Sequence, residues 1–200
     1  MDNSVAQLSQ QYLAYAKELA SALDEGVLSQ LVEATALLED ALHAHKRVFI
    51  AGNGGSAATA SHMMADLQKT TLGKEISISK RIKAIALSDN IPLITAWGND
   101  FGYDLIFAEQ LRTLADAGDL LLVITASGNS PNIVAALEVA RTMGVKTIGL
   151  LGFQGGKSKA LCDASVIVDS TNYGIIEDAH SVFMHMMTAA LRETIQSNKP

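Results

Sequence analysis

Apolar residues along the chain follow two different patterns, and the change between them divides the sequence near residue 46. In the first part they recur every three or four positions. The two series are Val5, Leu8, Tyr12, Tyr15, Leu19 and, after Gly26, Leu28, Leu31, Thr35, Leu38, Leu42. This spacing predicts two amphipathic helices, each with one stripe to bury. The first helix lies outside the repeating unit that follows, so we expect it to contact another subunit.

From residue 47 onwards, short continuous apolar runs alternate with helical patterns. The runs are RVFIAG (47–52), KAIALS (83–88), DLLLVITAS (119–127), VKTIGLLG (145–152) and ASVIVD (164–169). The helical patterns extend to about residue 68 and then cover 92–116, 131–144 and 175–195. Strands that read as continuous apolar runs are buried on both faces. The sequence therefore predicts an α/β fold, a three-layer αβα sandwich with a five-stranded parallel sheet, preceded by two helices.

Composition and charge narrow the class of protein. The 200 residues are 48% hydrophobic and 18% charged, as in a globular chain, and the formal net charge is −6. Without a Lys/Arg cluster, we expect no nucleic-acid partner and no anionic membrane partner. The single cysteine cannot form an internal disulfide, and neither a signal peptide nor a membrane-spanning run is recognisable. These features predict a cytoplasmic protein.

Two strand ends carry turns that are rich in glycine and hydroxyl groups. GNGGS (52–56) follows the first strand, and TASGNSPN (125–132) follows the third. Each turn opens a helix, whose free N–H groups and positive dipole end suit phosphate. Ser56 can either cap its helix or bind phosphate, and Ser130 taken alone is better explained as the cap before Pro131. Together the turns predict a shared anion site, and neither has the spacing of a nucleotide-binding loop.

The ionisable candidates lie on two of the predicted helices. His62 and Asp66 are four residues apart and share one helix face. They are candidates for metal ligands or for an acid–base pair, and an exposed polar pair explains them equally well. The last helix carries His180 and His185. Because His185 stands among apolar residues, a buried core histidine is the more common explanation for it.

Taken together, the motifs resemble one family. GNGGS with H-x-x-x-acid, GNDFGYD (98–104), TASGNSPN and the E-D-x-H…H pattern of the last helix are similar to the sugar isomerase (SIS) family. They are most similar to the bacterial phosphoheptose isomerases. The resemblance covers nearly the whole chain, which implies one SIS domain over 1–200, with 1–46 as a helical extension used in oligomerisation.

The resemblance implies an aldose–ketose isomerase. It would convert sedoheptulose 7-phosphate into D-glycero-D-manno-heptose 7-phosphate through an enediol or enediolate, for the synthesis of heptose and surface polysaccharide. The SIS fold also hosts isomerases of other sugar phosphates and non-catalytic modules that bind a phosphosugar or a protein. The histidines and acids beside the phosphate turns favour an enzyme, since a binding module has no need of them.

The resemblance also implies the site residues. Substrate-binding positions fall on Asn53, Gly54, Gly55, Ser56, Asp100, Thr125, Ser127, Asn129, Ser130 and Glu177. Catalytic positions fall on Asp66 and His185. Zinc ligands fall on His62, Asp66, Glu177 and His185. One zinc ion per subunit and a homotetramer with active sites at subunit interfaces are also implied.

Of the positions that depart from the family pattern, two concern the proposed site residues. Asp66 stands where the family has glutamate, and a base displaced by about an ångström can lose much of its rate. Glu177 stands where the family has glutamine, so two imidazoles and two carboxylates are available, a set that suits zinc. Glu177 and His185 are about 12 Å apart along a straight helix. Either Glu177 therefore precedes the helix, or the ligands come from different subunits.

Overall fold

A five-stranded parallel sheet with helices on both faces forms the centre of the protein. The structure, a computed structural model, describes residues 3–74 and 81–197. The strands are β1 (Arg47–Gly52), β2 (Lys83–Ala86), β3 (Leu120–Thr125), β4 (Lys146–Gly152) and β5 (Ala164–Val168). The helices are α1 (Asn3–Ser21), α2 (Glu25–His43), α3 (Gly55–Lys69), α4 (Ile91–Asp100), α5 (Ala108–Leu114), α6 (Pro131–Met143) and α7 (Tyr173–Ser197). The predicted sheet and sandwich are confirmed.

Apolar side chains fill the space on both faces of the sheet. On β1, Val48 and Ile50 pack against α2, α3 and α7, whereas Phe49 and Ala51 face α5 and α6. This alternation follows from the two-residue period of a strand. All six residues of β3 are buried, which explains why its run is continuously apolar.

The strand order places a crevice at the carboxyl ends of two neighbouring strands, β1 and β3. The order is β2-β1-β3-β4-β5, and every neighbouring pair is parallel. From β1 the chain continues into α3 on one face, and from β3 into α6 on the other face. The two turns therefore diverge at the carboxyl ends of adjacent strands, which is where parallel sheets bind ligands.

The prediction of one helix over 92–116 is wrong, because the chain breaks after α4. Gly102 has a φ of +103°, a conformation that favours glycine, and the short 3-10 turn Tyr103–Leu105 follows before α5 begins. The break leaves Phe101 and Tyr103 exposed. The predicted strand 83–88 also ends early, at Ala86, and the last helix begins two residues before its predicted start.

The N-terminal helices are present as predicted, with different surroundings. α2 buries Val27, Leu31 and Leu38 against the sheet layer. α1 leaves Val5 and Leu8 exposed, so the chain does not bury the stripe that the pattern predicts. None of the helices in the described ranges is both long and apolar enough to cross a membrane. Of the predicted irregular stretch 70–82, residues 75–80 lie outside the described residues.

Candidate active site

A cavity of about 140 Å³ lies between the turns that follow β1 and β3. Its lining residues are Asn53, Ser56, Ile124, Thr125, Ala126, Ser127, Ser130, Tyr173 and Glu177. Helices α3 and α6 both begin at these turns, so amide N–H groups and two positive dipole ends are available to an anion. The structure thus brings the hydroxyls of the two predicted turns into one site.

The hydroxyls of Ser56 and Ser130 are not used to cap helices. Gly54 is the N-cap of α3, so Ser56 lies inside the first turn, where it is 7% exposed. Ser130 is the N-cap of α6 by position, yet its side chain makes no capping hydrogen bond. Ser130 is therefore the N-cap residue, as predicted, but it caps without its side chain, and its hydroxyl is available to a ligand.

The turn TASGNSPN is held in shape by the turn that follows β4. A Cβ on Gly128 would lie 2.1 Å from the carbonyl oxygen of Gly155, and its φ is +62°, so only glycine fits. The side-chain amide of Asn129 donates to the Ser127 carbonyl at 2.9 Å and accepts from the Lys157 amide at 3.0 Å. Asn129 therefore supports the turn and is not among the lining residues of the cavity.

Two amides join the turns across the crevice. Asn53 Nδ2 donates to Asn132 Oδ1, and Asn132 Nδ2 donates to Asn53 Oδ1, each at 2.9 Å. The Tyr103 hydroxyl also donates to Asn53 Oδ1, at 3.1 Å. Asn53 is among the residues predicted from the sequence, whereas Asn132 and Tyr173 are not. Asn132 lies within the TASGNSPN motif, but a motif alone does not indicate which side chain reaches across to another strand end.

A second group of side chains lies where α3 and α7 pack together. Asp66 Oδ2 is 3.8 Å from His62 Nε2 and 3.9 Å from His185 Nε2. Its other oxygen accepts a hydrogen bond from the Thr70 hydroxyl at 2.8 Å. The side chains of His62 and His185 are 54% and 56% exposed, whereas Asp66 is 16% exposed. The acid is thus enclosed between two histidines that solvent can reach.

These three side chains suit a metal ion. Ligand atoms from His62, Asp66 and His185 all lie within 4.8 Å of one another. Zinc binds imidazole nitrogen and carboxylate oxygen at about 2.0–2.2 Å, so two ligand atoms of a tetrahedral site are about 3.4 Å apart. The observed separations of 3.8 and 3.9 Å need only a small adjustment. Three protein ligands would leave the fourth position open, as in catalytic zinc sites.

Glu177 and Asp100 are not part of this group. Glu177 lies inside α7, so the option that it precedes the helix is wrong. It lines the cavity instead, with Oε2 3.2 Å from the point where a Cβ on Gly55 would lie. Asp100 is the exposed last residue of α4 and accepts a hydrogen bond from Asn99. Within one chain, three of the four predicted metal ligands are therefore grouped, and Asp100 lies outside the cavity lining.

The buried histidine of α7 is His180 rather than His185. His180 is 1% exposed, and burial lowers its pKa to about 4, because the charged imidazolium is disfavoured away from water. The apolar neighbours of His185 in the sequence suggested the opposite arrangement. On the helix, His180 faces the sheet layer near Phe183, and His185 turns toward Asp66.

Comparison with known proteins agrees with this fold. Residues 11–152 match the SIS domain family. The phosphoheptose isomerase of Nitratiruptor sp. is 41% identical over 155 residues, which cover 78% of this chain and 81% of that protein. The phosphoheptose isomerase of Aliarcobacter butzleri is 39% identical over 175 residues, which cover 88% of this chain and 90% of that protein.

A solved structure gives the same result. The phosphoheptose isomerase of Neisseria gonorrhoeae is 28% identical, has a TM-score of 0.84, and covers 94% of this chain and 98% of its own. The fold is thus that of a SIS domain. The chain belongs to the SIS domain family and, within it, to the phosphoheptose isomerases.

Proposed function

We propose that the protein is an aldose–ketose isomerase that converts sedoheptulose 7-phosphate into D-glycero-D-manno-heptose 7-phosphate. One observation carries the proposal. A cavity suited to phosphate and a group suited to proton transfer lie along the same two helices, α3 and α7. The family relation supports the same reaction.

The phosphate is proposed to bind in the cavity at the switch between β1 and β3. Thr125, Ser127 and Ser130 would donate hydroxyl hydrogens, and the first turns of α3 and α6 would donate backbone N–H groups. Ser127 Oγ accepts a hydrogen bond from the backbone N–H of Asn129 at 3.2 Å. The hydroxyl hydrogen of Ser127 is therefore available to a ligand. These donors are neutral, which is consistent with anion binding by a chain of net charge −6.

The length of the substrate fits the separation of the two regions. Glu177 beside the cavity and His185 beside Asp66 are eight residues apart on α7, about 12 Å along its axis. An extended chain advances about 1.2 Å per bond, so the distance from C1 to phosphorus in a heptose 7-phosphate is roughly 10 Å. A phosphate in the cavity would therefore leave C1 and C2 of the sugar within reach of His62, Asp66 and His185.

Isomerisation moves a proton between C2 and C1, so it needs a base at carbon and an acid at oxygen. We propose that Asp66 takes and returns the carbon-bound proton and that His185 serves the oxygens. The Thr70 hydroxyl orients the Asp66 carboxylate for this role. It donates a hydrogen bond to Oδ1, so that Oδ2 faces the two histidines. The gaps of 3.8 and 3.9 Å to those histidines leave the Asp66 oxygen without a tight partner.

We further propose that His62, Asp66 and His185 bind one zinc ion per subunit, with Glu177 of a neighbouring subunit as a further ligand. When bound, zinc would polarise the substrate carbonyl and stabilise negative charge on oxygen. In that state Asp66 would be a zinc ligand, and its role as a free base would weaken. The donor types and their mutual distances support the proposal.

The assembly is proposed to be a homotetramer in which residues 1–46 contribute to the contacts. Exposed apolar side chains on α1 and the first part of α2 support this assignment; they are Val5, Leu8, Tyr12, Leu13, Leu28 and Val32. The positions of Glu177 and Asp100 support active sites shared between subunits. A cytoplasmic enzyme that supplies heptose for lipopolysaccharide or capsule is the corresponding cellular role.

Exchange of substrate hydrogen with solvent tests the reaction. Sedoheptulose 7-phosphate is incubated with the enzyme in D₂O, with and without added zinc, and deuterium at C1 and C2 is measured by NMR. We expect incorporation with the unmodified protein and none with His185→Ala. Exchange with another ketose phosphate alone would contradict the heptose assignment, and no exchange with any of several ketose phosphates would contradict the isomerase.

A further inference from the structure

We infer that Asn132 is a positioning residue of the phosphate site, which acts by fixing the side-chain amide of Asn53. The inference rests on the proposed function, because it assumes that the cavity binds the phosphate end of the substrate. Asn132 is not among the residues that line the cavity, so it acts through a neighbour and not by contact.

The pair of amides is built into the interior. Asn132 is the second residue of α6 and is 1% exposed. Asn53 follows the last residue of β1 and lines the cavity. Each amide donates to the other at 2.9 Å, so the buried donor and acceptor of Asn132 are both satisfied by Asn53. An apolar or smaller residue at 132 would break both bonds at once.

The hydrogen bonds decide what Asn53 can offer to a ligand. An asparagine side chain has an oxygen with two lone pairs and a nitrogen with two hydrogens. The oxygen accepts from Asn132 and from the Tyr103 hydroxyl, and one hydrogen is donated to Asn132. What remains is one N–H, so Asn53 can act toward a ligand only as a donor. This is the polarity that phosphate and sugar oxygens require.

The constraint matters because the cavity already contains an acceptor. The Glu177 carboxylate lines it together with Asn53 and Ser130. If the Asn53 amide turned over, its oxygen would add a second acceptor beside an anionic ligand, and a donor would be lost. Asn132 opposes this exchange, because turning over the Asn53 amide alone would place oxygen against oxygen and N–H against N–H. It also ties the turn before α3 to the turn before α6. These two helices lie on opposite faces of the sheet.

Asn132→Leu tests the inference, because leucine has a similar size and forms neither hydrogen bond. Inorganic phosphate serves as the binding probe in calorimetry, and steady-state kinetics gives kcat and KM for sedoheptulose 7-phosphate. We expect the Kd for phosphate and the KM to rise roughly tenfold together, which corresponds to about 1.4 kcal/mol, while kcat changes less than about twofold. Gln30→Leu, which removes an amide bonded to the Ile167 N–H of β5, is the matched control and should leave all three values unchanged.

A double-mutant cycle separates positioning from general loosening. Because Asn132 acts through Asn53, Asn132→Leu should add no further loss of phosphate affinity in an Asn53→Ala background. Full additivity of the two changes would overturn the inference. Tyr103→Phe removes only the second donor to Asn53 and should weaken phosphate binding about threefold. Asn132→Ala, which removes the same two hydrogen bonds with a smaller side chain, decides the matter if Asn132→Leu fails to fold, and wild-type phosphate affinity in that variant would then overturn the inference.

The same measurements distinguish this inference from the proposed function. If the unmodified protein binds neither phosphate nor the sugar phosphate in the cavity, the proposed phosphate site fails and the inference fails with it. If Ser127→Ala weakens phosphate binding while Asn132→Leu binds as tightly as the unmodified protein, the phosphate site stands and only the role of Asn132 is overturned.

Discussion

The cavity at the strand ends and the His62–Asp66–His185 group are built from different materials. The cavity is made of turns, hydroxyls, amides and helix N-termini, and its shape depends on backbone packing such as the contact of Gly128 with Gly155. The other group consists of three ionisable side chains on helices α3 and α7, and two of the three are more than half exposed. The proposed function assigns binding and chemistry to two separate sites.

The difference has a physical reason. A phosphate is already charged and needs fixed donors, which rigid turns supply without moving. Proton transfer and metal binding need side chains that the substrate or the metal ion can reach, and burial disfavours the charged form of such side chains. His180 illustrates the contrast, because it lies on the same helix but is buried, and its pKa is lowered to about 4.

The largest expected effect is loss of catalysis without loss of phosphate binding. Asp66→Asn removes the proposed base while keeping its size, and kcat should fall by roughly 10³-fold, within the range known for acid–base groups. The Kd for inorganic phosphate should not change, since the cavity does not include Asp66. Asp66→Glu is the matched variant that keeps the carboxylate and should retain turnover. Normal turnover in Asp66→Asn would remove this residue from the mechanism.

His180 allows the buried and exposed environments on α7 to be compared by pH. Its pKa is about 4 when folded and 6.5 in a free histidine, so the unfolded chain binds more protons between these values. Stability should therefore fall as the pH is lowered from 6.5 to 4, by roughly 3 kcal/mol from this residue. Urea unfolding between pH 7.5 and 4.5 gives the free energy of unfolding. As the pH is lowered, this free energy should fall less for His180→Leu than for the unmodified protein. The exposed His43→Ala should follow the unmodified protein, and identical slopes in all three would contradict the assignment.

Zinc affinity tests whether His62, Asp66 and His185 bind one metal ion together. His62→Ala should weaken zinc binding by about 100-fold, because loss of a ligand costs at least as much as loss of its outer hydrogen-bond partner. Calorimetric titration of the metal-free protein gives the affinity directly and does not depend on activity. His45→Ala, at a histidine just before β1, serves as the control. If both variants bind zinc as the unmodified protein does, the three side chains are not its site.

The smallest of these effects concerns a single hydroxyl in the cavity. Ser127→Ala should raise the KM and the Kd for phosphate roughly tenfold and leave kcat nearly unchanged, since one hydrogen bond to a charged group is lost. Thr113→Ala, which removes an exposed hydroxyl on α5, is the control. A fall in kcat at constant KM would mean that Ser127 takes part in the chemistry, and the separation of the two regions would no longer hold.

Several parts of the molecule were predictable because they depend on local signals. Continuous apolar runs located the five strands of the described residues, and the glycine turns after β1 and β3 located the cavity. The helix predicted over 92–116 failed because its apolar spacing continues across Gly102, where only the backbone conformation breaks it. The expectation for His185 failed similarly, since neighbours in sequence do not determine which face of a helix packs inward.

Contacts between segments that are distant in the chain could not be predicted from the sequence. Asn132 satisfies its amide with Asn53, 79 positions away, and nothing in TASGNSPN indicates that partner. The same holds for Asp66, which meets His62 through helix periodicity but meets His185 only because α3 packs against α7.

By itself, the sequence determined the class of fold, the two turns and the set of ionisable residues, because hydrophobic period, glycine and helix starts act over a few residues. The tertiary structure decided which of those residues meet. It grouped His62, Asp66 and His185, assigned Glu177 to the cavity, and buried His180 instead of His185. These outcomes depend on how helices are rotated against the sheet, and that rotation is set by packing across the whole core.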